Sequence, residues 1–296
     1  MPERQWLEAF FSYLKHEKRY SKHTSSAYQR DLVAFDKYIA SQNVNEWSLV
    51  TVHHVRQYTA YLHKNDQAPK SIQRKLSSLR RFFHYLMREN HVDINPVEGV
   101  RAPKADKTLP RVLDVDQVQA LFTQNSTDPL LLRDMAMLEL LYGCGLRLSE
   151  LVSLDVDDFD YSDYSFRVTG KGDKTRILPF GKMALLALNK WIPILKSWAV
   201  ENERALFISK KGVRISPRTV QSRLQFWGKK QGLTTGLHPH RLRHSFASHL
   251  LESSGDIRSV QELLGHADLS STQIYTQLDY QHLALVYDKA HPRAKK

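Results

Sequence analysis

Between residues 238 and 249 the chain reads His238-Pro239-His240-Arg241-Leu242-Arg243-His244-Ser245-Phe246-Ala247-Ser248-His249, a density of imidazole that suits either a metal site or proton transfer. Its neighbours argue against metal. Two arginines interleave His240 and His244, no Glu completes a His-Glu-x-x-His pattern, and the single cysteine, Cys144, is far away in sequence. Gly170-Lys171-Gly172-Asp173-Lys174-Thr175 is glycine- and lysine-rich like a nucleotide loop. It lacks the Gly-x-x-x-x-Gly-Lys-Ser/Thr spacing and lies between two expected strands, so neither a bound nucleotide nor any other cofactor is expected. What remains is a set of phosphate-compatible groups near expected turns and helix starts: Arg147, Lys171, His240, Arg243, His266 and one tyrosine, Tyr275. Each has a plainer reading. Arg147 could cap the preceding helix or pair with Glu150, His266 could be a turn residue after Gly265, Lys174 shares the loop with Lys171, and Tyr275 carries no local mark of reactivity.

The charge also points to phosphate. Among 296 residues, 43 Lys and Arg face 31 Asp and Glu, a formal +12. The signs are segregated: residues 204–243 hold ten cations and no acid, residues 70–88 hold six and no acid, and residues 150–163 hold six acids and no cation. A one-sided field explains such blocks better than an evenly solvated surface. If eight to ten cations met phosphates, log affinity would fall with log salt at a slope of about −7 to −9. The most apolar stretch, 130–148, contains Arg133, Asp134, Glu139 and Arg147, too many charges for a membrane span. One cysteine and a start without a secretory apolar run lead us to expect a reducing cytoplasm, where nucleic acid is the commonest polyanion.

The elements that must position these groups fall into two sets. Residues 1–94 read as four amphipathic helices. Trp6, Leu7, Phe10, Phe11 and Leu14 form one stripe; Thr24 is the expected cap of a helix presenting Tyr28, Leu32, Phe35 and Ile39. Thr51 is expected to cap a third helix with Val52, Val55, Thr59 and Leu62 inward, and residues 71–87 a fourth built on Ile72, Leu76, Leu79, Phe83 and Leu86. Residues 95–110, rich in Pro, Gly and small side chains, read as a linker. Beyond it, 111–296 forms a second domain. Asp114 with Gln117 three residues on signals a helix start, a buried helix follows at 129–142, and residues 164–168 and 175–179 are strands joined by the Gly170–Lys174 turn. Helices are expected at 182–198, 217–231 after Ser216, 241–251, 257–264 and 280–289. The fold class is mainly α, a four-helix domain plus a mostly helical α+β domain with a small antiparallel sheet. Both halves are basic, 17 cations to 10 acids in 1–105 and 26 to 21 in 106–296, as a two-domain clamp on a nucleic acid requires. Arg74, Lys75 and Arg81 in the first domain, with Arg218 and Arg223 in the second, are the candidates for contact with it.

The strings Gly143-Cys144-Gly145-Leu146-Arg147-Leu148-Ser149-Glu150-Leu151, His240-Arg241-Leu242-Arg243-His244, Leu263-Leu264-Gly265-His266 and Ile274-Tyr275 resemble, in order and spacing, the dispersed Arg, Lys, His-x-x-Arg, His and Tyr signature of the tyrosine recombinases, the phage integrase family. The resemblance spans the whole second domain as a catalytic domain, and the first is similar to that family's helical core-binding domain. Arg19-Tyr20-Ser21-Lys22-His23-Thr24 and the tail 280–293 are most similar to the Xer branch, which resolves chromosome dimers at cell division. The resemblance implies a metal- and ATP-independent DNA strand transferase with Tyr275 as nucleophile and a 3′-phosphotyrosyl intermediate. Arg147 and Arg243 would clamp the non-bridging oxygens, Lys171 would protonate the leaving 5′ oxygen, His240 would act as base or donor, and His266 would position the phosphate. The chemistry fits these residue types: arginine donates bidentately and stays charged, whereas a phenol of pKa ~10 at pH 7 is ~4 kcal/mol short of ionised and needs cationic neighbours. The resemblance further implies a heterotetramer with a second, related recombinase on a duplex recombination site, control by a septal DNA translocase, and a C-terminal exchange helix at 279–290 docked on a neighbouring subunit. An ordinary tail packed on its own domain is the plain alternative to that helix. A type IB topoisomerase and a non-catalytic DNA-binding protein are the competing functions.

Overall fold

The computed structural model describes residues 4–17, 20, 22–104, 112–123, 126–170, 175–265 and 277–294. The chain divides into two compact units, Met1–Thr108 and Leu109–Lys296, each around its own apolar core. It is mainly helical, with a small three-stranded antiparallel sheet in the second unit.

The first unit contains α1 (Arg4–His16), α2 (Lys22–Ser41), α3 (Val52–Lys64) and α4 (Pro69–Arg88). Apolar residues three or four apart bring one stripe of each helix inward: Leu7, Phe10 and Leu14; Leu32, Phe35 and Ile39; Val55, Tyr58 and Leu62; Ile72, Leu76, Leu79, Phe83 and Leu86. Each such side chain contributes about 1.5–3 kcal/mol on burial. Thr51 precedes α3 as expected, its backbone N–H donating to His54 Nδ1 at 3.1 Å. Thr24, by contrast, lies inside α2 and is not its cap. α4 starts two residues before the expected position because Pro69, which has no N–H to lose, occupies its first turn. Residues 95–100 close this unit: Asn95 donates to Arg80 O at 3.1 Å and accepts from Val97 N–H at 3.0 Å, while Val97 and Val100 are buried. One acid is also buried here. Asp31 sits between Arg74 and Lys75; burial raises its pKa more than the two cations lower it.

The second unit contains α5 (Val115–Phe122), α6 (Pro129–Gly143), α7 (Leu148–Ser153), β1 (Phe159–Asp160), β2 (Ser165–Thr169), β3 (Thr175–Pro179), α8 (Lys182–Trp198), α9 (Pro217–Lys230), α10 (Pro239–Ser254), α11 (Ile257–Leu264) and α12 (Gln277–Ala290). α6 runs through the core, and its charges are paired inside. Asp134 accepts from Arg133, from Arg223 Nε at 2.6 Å and from Trp227 Nε1 at 3.0 Å; Glu139 accepts from Arg293, Nε to Oε2 being 3.1 Å. Asp114 and Gln117 form the reciprocal cap of α5, and Ser216 caps α9 through Thr219 N–H. The sheet has order β1-β2-β3, with Phe166 opposite Leu178 and Val168 opposite Arg176. Alternation turns Phe166, Val168, Arg176 and Leu178 inward, and Arg167 and Ile177 outward. α10 begins at Pro239, two residues before the expected start, because His238 serves as its cap: Nδ1 accepts from Arg241 N–H at 3.2 Å. α12 packs on its own unit through Leu283 and Tyr287, followed by the buried His291. Burial drives that imidazole down to about 3, so it is held neutral.

Candidate active site

Three arginines gather around one carboxylate. The turn after α6 reverses at Gly145, whose φ of 61° and close approach to α10 both demand glycine; an added Cβ would lie 2.5 Å from Phe246 Cδ1. Arg147 follows as the cap of α7, in extended backbone conformation. Glu150, at the third position of that helix, accepts from Arg147 N–H on Oε2 and from Arg147 Nη1 on Oε1, both at 2.8 Å. The pairing weighed as Arg147's plain alternative is therefore real. It does not consume the side chain, which stays 35% exposed.

The second arginine comes from β3. Arg176 donates Nη1 to Glu150 Oε1 at 2.9 Å and Nη2 to Oε2 at 3.0 Å. Arg243, one turn into α10, donates Nη1 to Gly145 O at 2.6 Å and Nη2 to Leu264 O, and its Nη1 lies 4.0 Å from Glu150 Oε2. Arg147 Nη2 donates to the next carbonyl, Gly265 O, at 3.2 Å. Arg147 and Arg243 thus rest on consecutive carbonyls at the C-terminus of α11, where a helix presents unpaired acceptors and partial negative charge. Gly265 allows this by ending α11 at φ 65°.

Charge is left over. Burial and then the Arg147 charge push Arg243 down to about 10, so it remains a cation at neutral pH. Burial alone would raise Glu150, but Arg176 and then Arg147 outweigh it and hold the carboxyl below its ordinary value. Three guanidiniums facing one ionised carboxylate form a preorganised anion site, with Arg147 the most accessible of them.

His240 is exposed in the first turn of α10, three residues before Arg243 and so on the same side of the helix. Lys171, His266 and Tyr275 lie outside the described residues. In the chain, Lys171 falls between β2 and β3, His266 is bonded to Gly265, and Tyr275 precedes α12 by two residues. Glu150 and Arg176 were absent from the expected site. The strand alternation held the signal for Arg176, since Thr175-Arg176-Ile177-Leu178 puts the arginine in phase with Leu178 and leaves Ile177 outside.

The five DNA-contacting candidates are placed unequally. Arg218 is exposed in the first turn of α9. Arg74 is 44% and Lys75 14% exposed, both paired with Asp31. Arg81 lies over the Tyr20 ring at 5.5 Å in a groove shared with Tyr13, Arg80, His84 and Arg88. Arg223 is tied to Asp134 and stacked over Phe226 at 4.6 Å, which makes it first of all a fastening between α6 and α9.

Comparison with known proteins bears on all of this. Residues 111–282 match the model of the phage integrase family, and residues 7–90 match the phage integrase N-terminal SAM-like domain. The chain belongs to the phage integrase family. This integrase-family chain is 53% identical over 299 residues to the tyrosine recombinase XerC of Alcanivorax borkumensis, covering 99% of this chain and 95% of that one. It is 48% identical over 287 residues to XerC of Actinobacillus pleuropneumoniae serotype 7, covering 97% and 94%. Among solved structures, the lambda integrase (75-356) dimer bound to a COC′ core site shares the fold at TM-score 0.70 and 20% identity, covering 93% of this chain and 100% of that one. The XerH recombinase bound to palindromic difH substrate, a post-cleavage complex, does so at 0.70 and 21%, covering 89% and 79%. As a tyrosine recombinase, the chain is a DNA strand-transferring enzyme of site-specific recombination.

Proposed function

We propose that this chain is the XerC-type subunit of a chromosome-dimer resolvase, cutting and rejoining one strand of a duplex recombination site in the cytoplasm. Tyr275 Oη attacks the scissile phosphorus, the P–O5′ bond breaks, and a 3′-phosphotyrosyl link and a free 5′ hydroxyl result. The phenolic proton passes to His240 and the leaving oxygen takes one from Lys171. Arg147 and Arg243 exchange their backbone carbonyls for the non-bridging oxygens, whose negative charge grows in the transition state, and His266 adds a donor. One phosphodiester replaces another, so bond energy is conserved and no nucleotide is needed. The observation that carries this reading is the three-arginine, one-carboxylate cluster, with Arg147 and Arg243 resting on neighbouring carbonyls. An XerD-like recombinase completes a heterotetramer, a septal DNA translocase controls it, and residues 279–290 act as the exchange helix, packed on their own unit in the single chain and on a neighbour in the tetramer. Arg74, Lys75, Arg81 and Arg218 contact the duplex, with Arg223 supporting α9.

The test uses labelled recombination-site duplex carrying a nick opposite the cleavage position, so that religation is blocked. Wild-type protein yields an adduct that survives denaturation; Tyr275→Phe yields none and keeps its band shift. An adduct in that variant would refute the nucleophile. Efficient supercoil relaxation by the chain without a partner recombinase would favour a topoisomerase instead.

A further inference from the structure

We propose that Arg176 is a positioning residue for strand transfer: it orients Glu150 and braces Gly265, the two groups that hold the Arg147 guanidinium toward the scissile phosphate. The inference rests on the reading of Arg147 as a phosphate clamp.

A buried arginine in the inward register of a strand is unusual. Arg176 lies opposite Val168, in phase with Leu178, and is 7% exposed, in a place where an apolar side chain of similar volume would pack at no desolvation cost. Its Nε has no acceptor among the described residues. Its two Nη groups account for its presence. Each Glu150 oxygen is shared by the two arginines: Oε1 takes Arg176 Nη1 and Arg147 Nη1, and Oε2 takes Arg176 Nη2 and Arg147 N–H. The planar fork of Arg176 fixes the plane of the carboxylate, and that plane fixes both the backbone and the side chain of Arg147.

The other anchor of Arg147 is touched as well. A Cβ on Gly265 would come within 3.1 Å of Arg176 Cζ and Nη1 and 3.2 Å of Nε, so the guanidinium lies against that glycine. The Gly265 carbonyl receives Arg147 Nη2. Arg176 therefore connects β3 to both supports of the clamp, with both Nη groups donating to Glu150, and, buried at 7% exposure, it acts through Arg147.

The test compares two scissile groups in the full chain, under single-turnover conditions on the nicked duplex: an ordinary phosphodiester and a methylphosphonate, in which a methyl group replaces one anionic oxygen. The methylphosphonate needs less charge neutralisation and so less of Arg147. Arg176→Met is expected to bind DNA within about twofold of wild type, to lose on the order of 10- to 100-fold in cleavage of the phosphodiester, and to lose less than about threefold on the methylphosphonate. Arg176→Lys, with a point charge in place of a fork, should fall between. Equal losses on both substrates would mean a structural role only and overturn the proposal, as would unchanged cleavage. Arg147→Ala in the same assay separates the two levels. If it too loses equally on both substrates, the clamp reading falls and this inference with it; if it discriminates and Arg176→Met does not, only the positioning role falls.

Discussion

Replacing Arg243 by lysine keeps a cation but removes the fork, and the site predicts how that cation will titrate. Burial and then the neighbouring Arg147 push Arg243 down to about 10. The same environment acting on a lysine, whose ordinary pKa of ~10.4 already lies below that of arginine, would push it down in the same direction and bring its titration within reach of experiment. One ammonium is also less suited than a fork to donate to Gly145 O and Leu264 O together. The lowered basic pKa means that the unfolded chain binds more protons than the folded one between that lowered value and ~10.4, so the variant gains stability as pH rises through that interval. Activity moves the opposite way, because in the proposed mechanism the charged form is the one that clamps phosphate. Measured as the second-order rate constant for adduct formation on nicked duplex from pH 6 to 9.5, which reports the free enzyme, the ratio of variant to wild-type rate should fall as pH rises, by up to about tenfold per unit once the lysine deprotonates. A ratio that stays flat to pH 9.5 would refute the account of this pocket as a desolvated, cation-crowded site.

Other perturbations follow from the same geometry. Arg293→Met leaves Glu139 buried without its partner and should cost about 3 kcal/mol in denaturant unfolding at pH 8. Because burial already raises the Glu139 pKa, the folded state takes up a proton more readily than the unfolded chain, so the loss should shrink as pH falls toward 5; a larger loss at acid pH would contradict this. Gly145→Ala forces a Cβ to within 2.5 Å of Phe246 Cδ1 at a φ of 61° and should destabilise by about 1–3 kcal/mol, with cleavage falling more than DNA binding because the Gly145 carbonyl seats Arg243. Arg218→Ala should reduce the slope of log affinity against log salt by about one, equally on specific and random duplex; an unchanged slope would remove Arg218 from the phosphate contacts.

Local rules carried much of the architecture. The Asp114 and Gln117 cap, the 257–264 helix and the two long strands were legible because their signals are complete within a few residues. α7 was not, since six residues give less than two turns of periodicity, and the start of α10 was displaced because histidine seldom serves as a cap. The site divides the same way. Arg147 and Arg243 were named together through the family signature, and the Arg147–Glu150 pair was open to view three residues apart; the carbonyls of Leu264 and Gly265 beneath the two arginines were not, because a backbone acceptor leaves no trace in a sequence. Arg176 escaped because a charged residue next to a basic turn reads as surface. Only the strand register shows that it points inward, and only the fold brings Glu150 to meet it, 26 residues away.

The most direct measurement is peptide mapping of the covalent adduct trapped on nicked duplex. The account predicts a single modified residue, Tyr275, joined to a 3′ phosphate, with a free hydroxyl on the opposing 5′ end. A modification on any other of the 13 tyrosines, or a link to a 5′ phosphate, would contradict it.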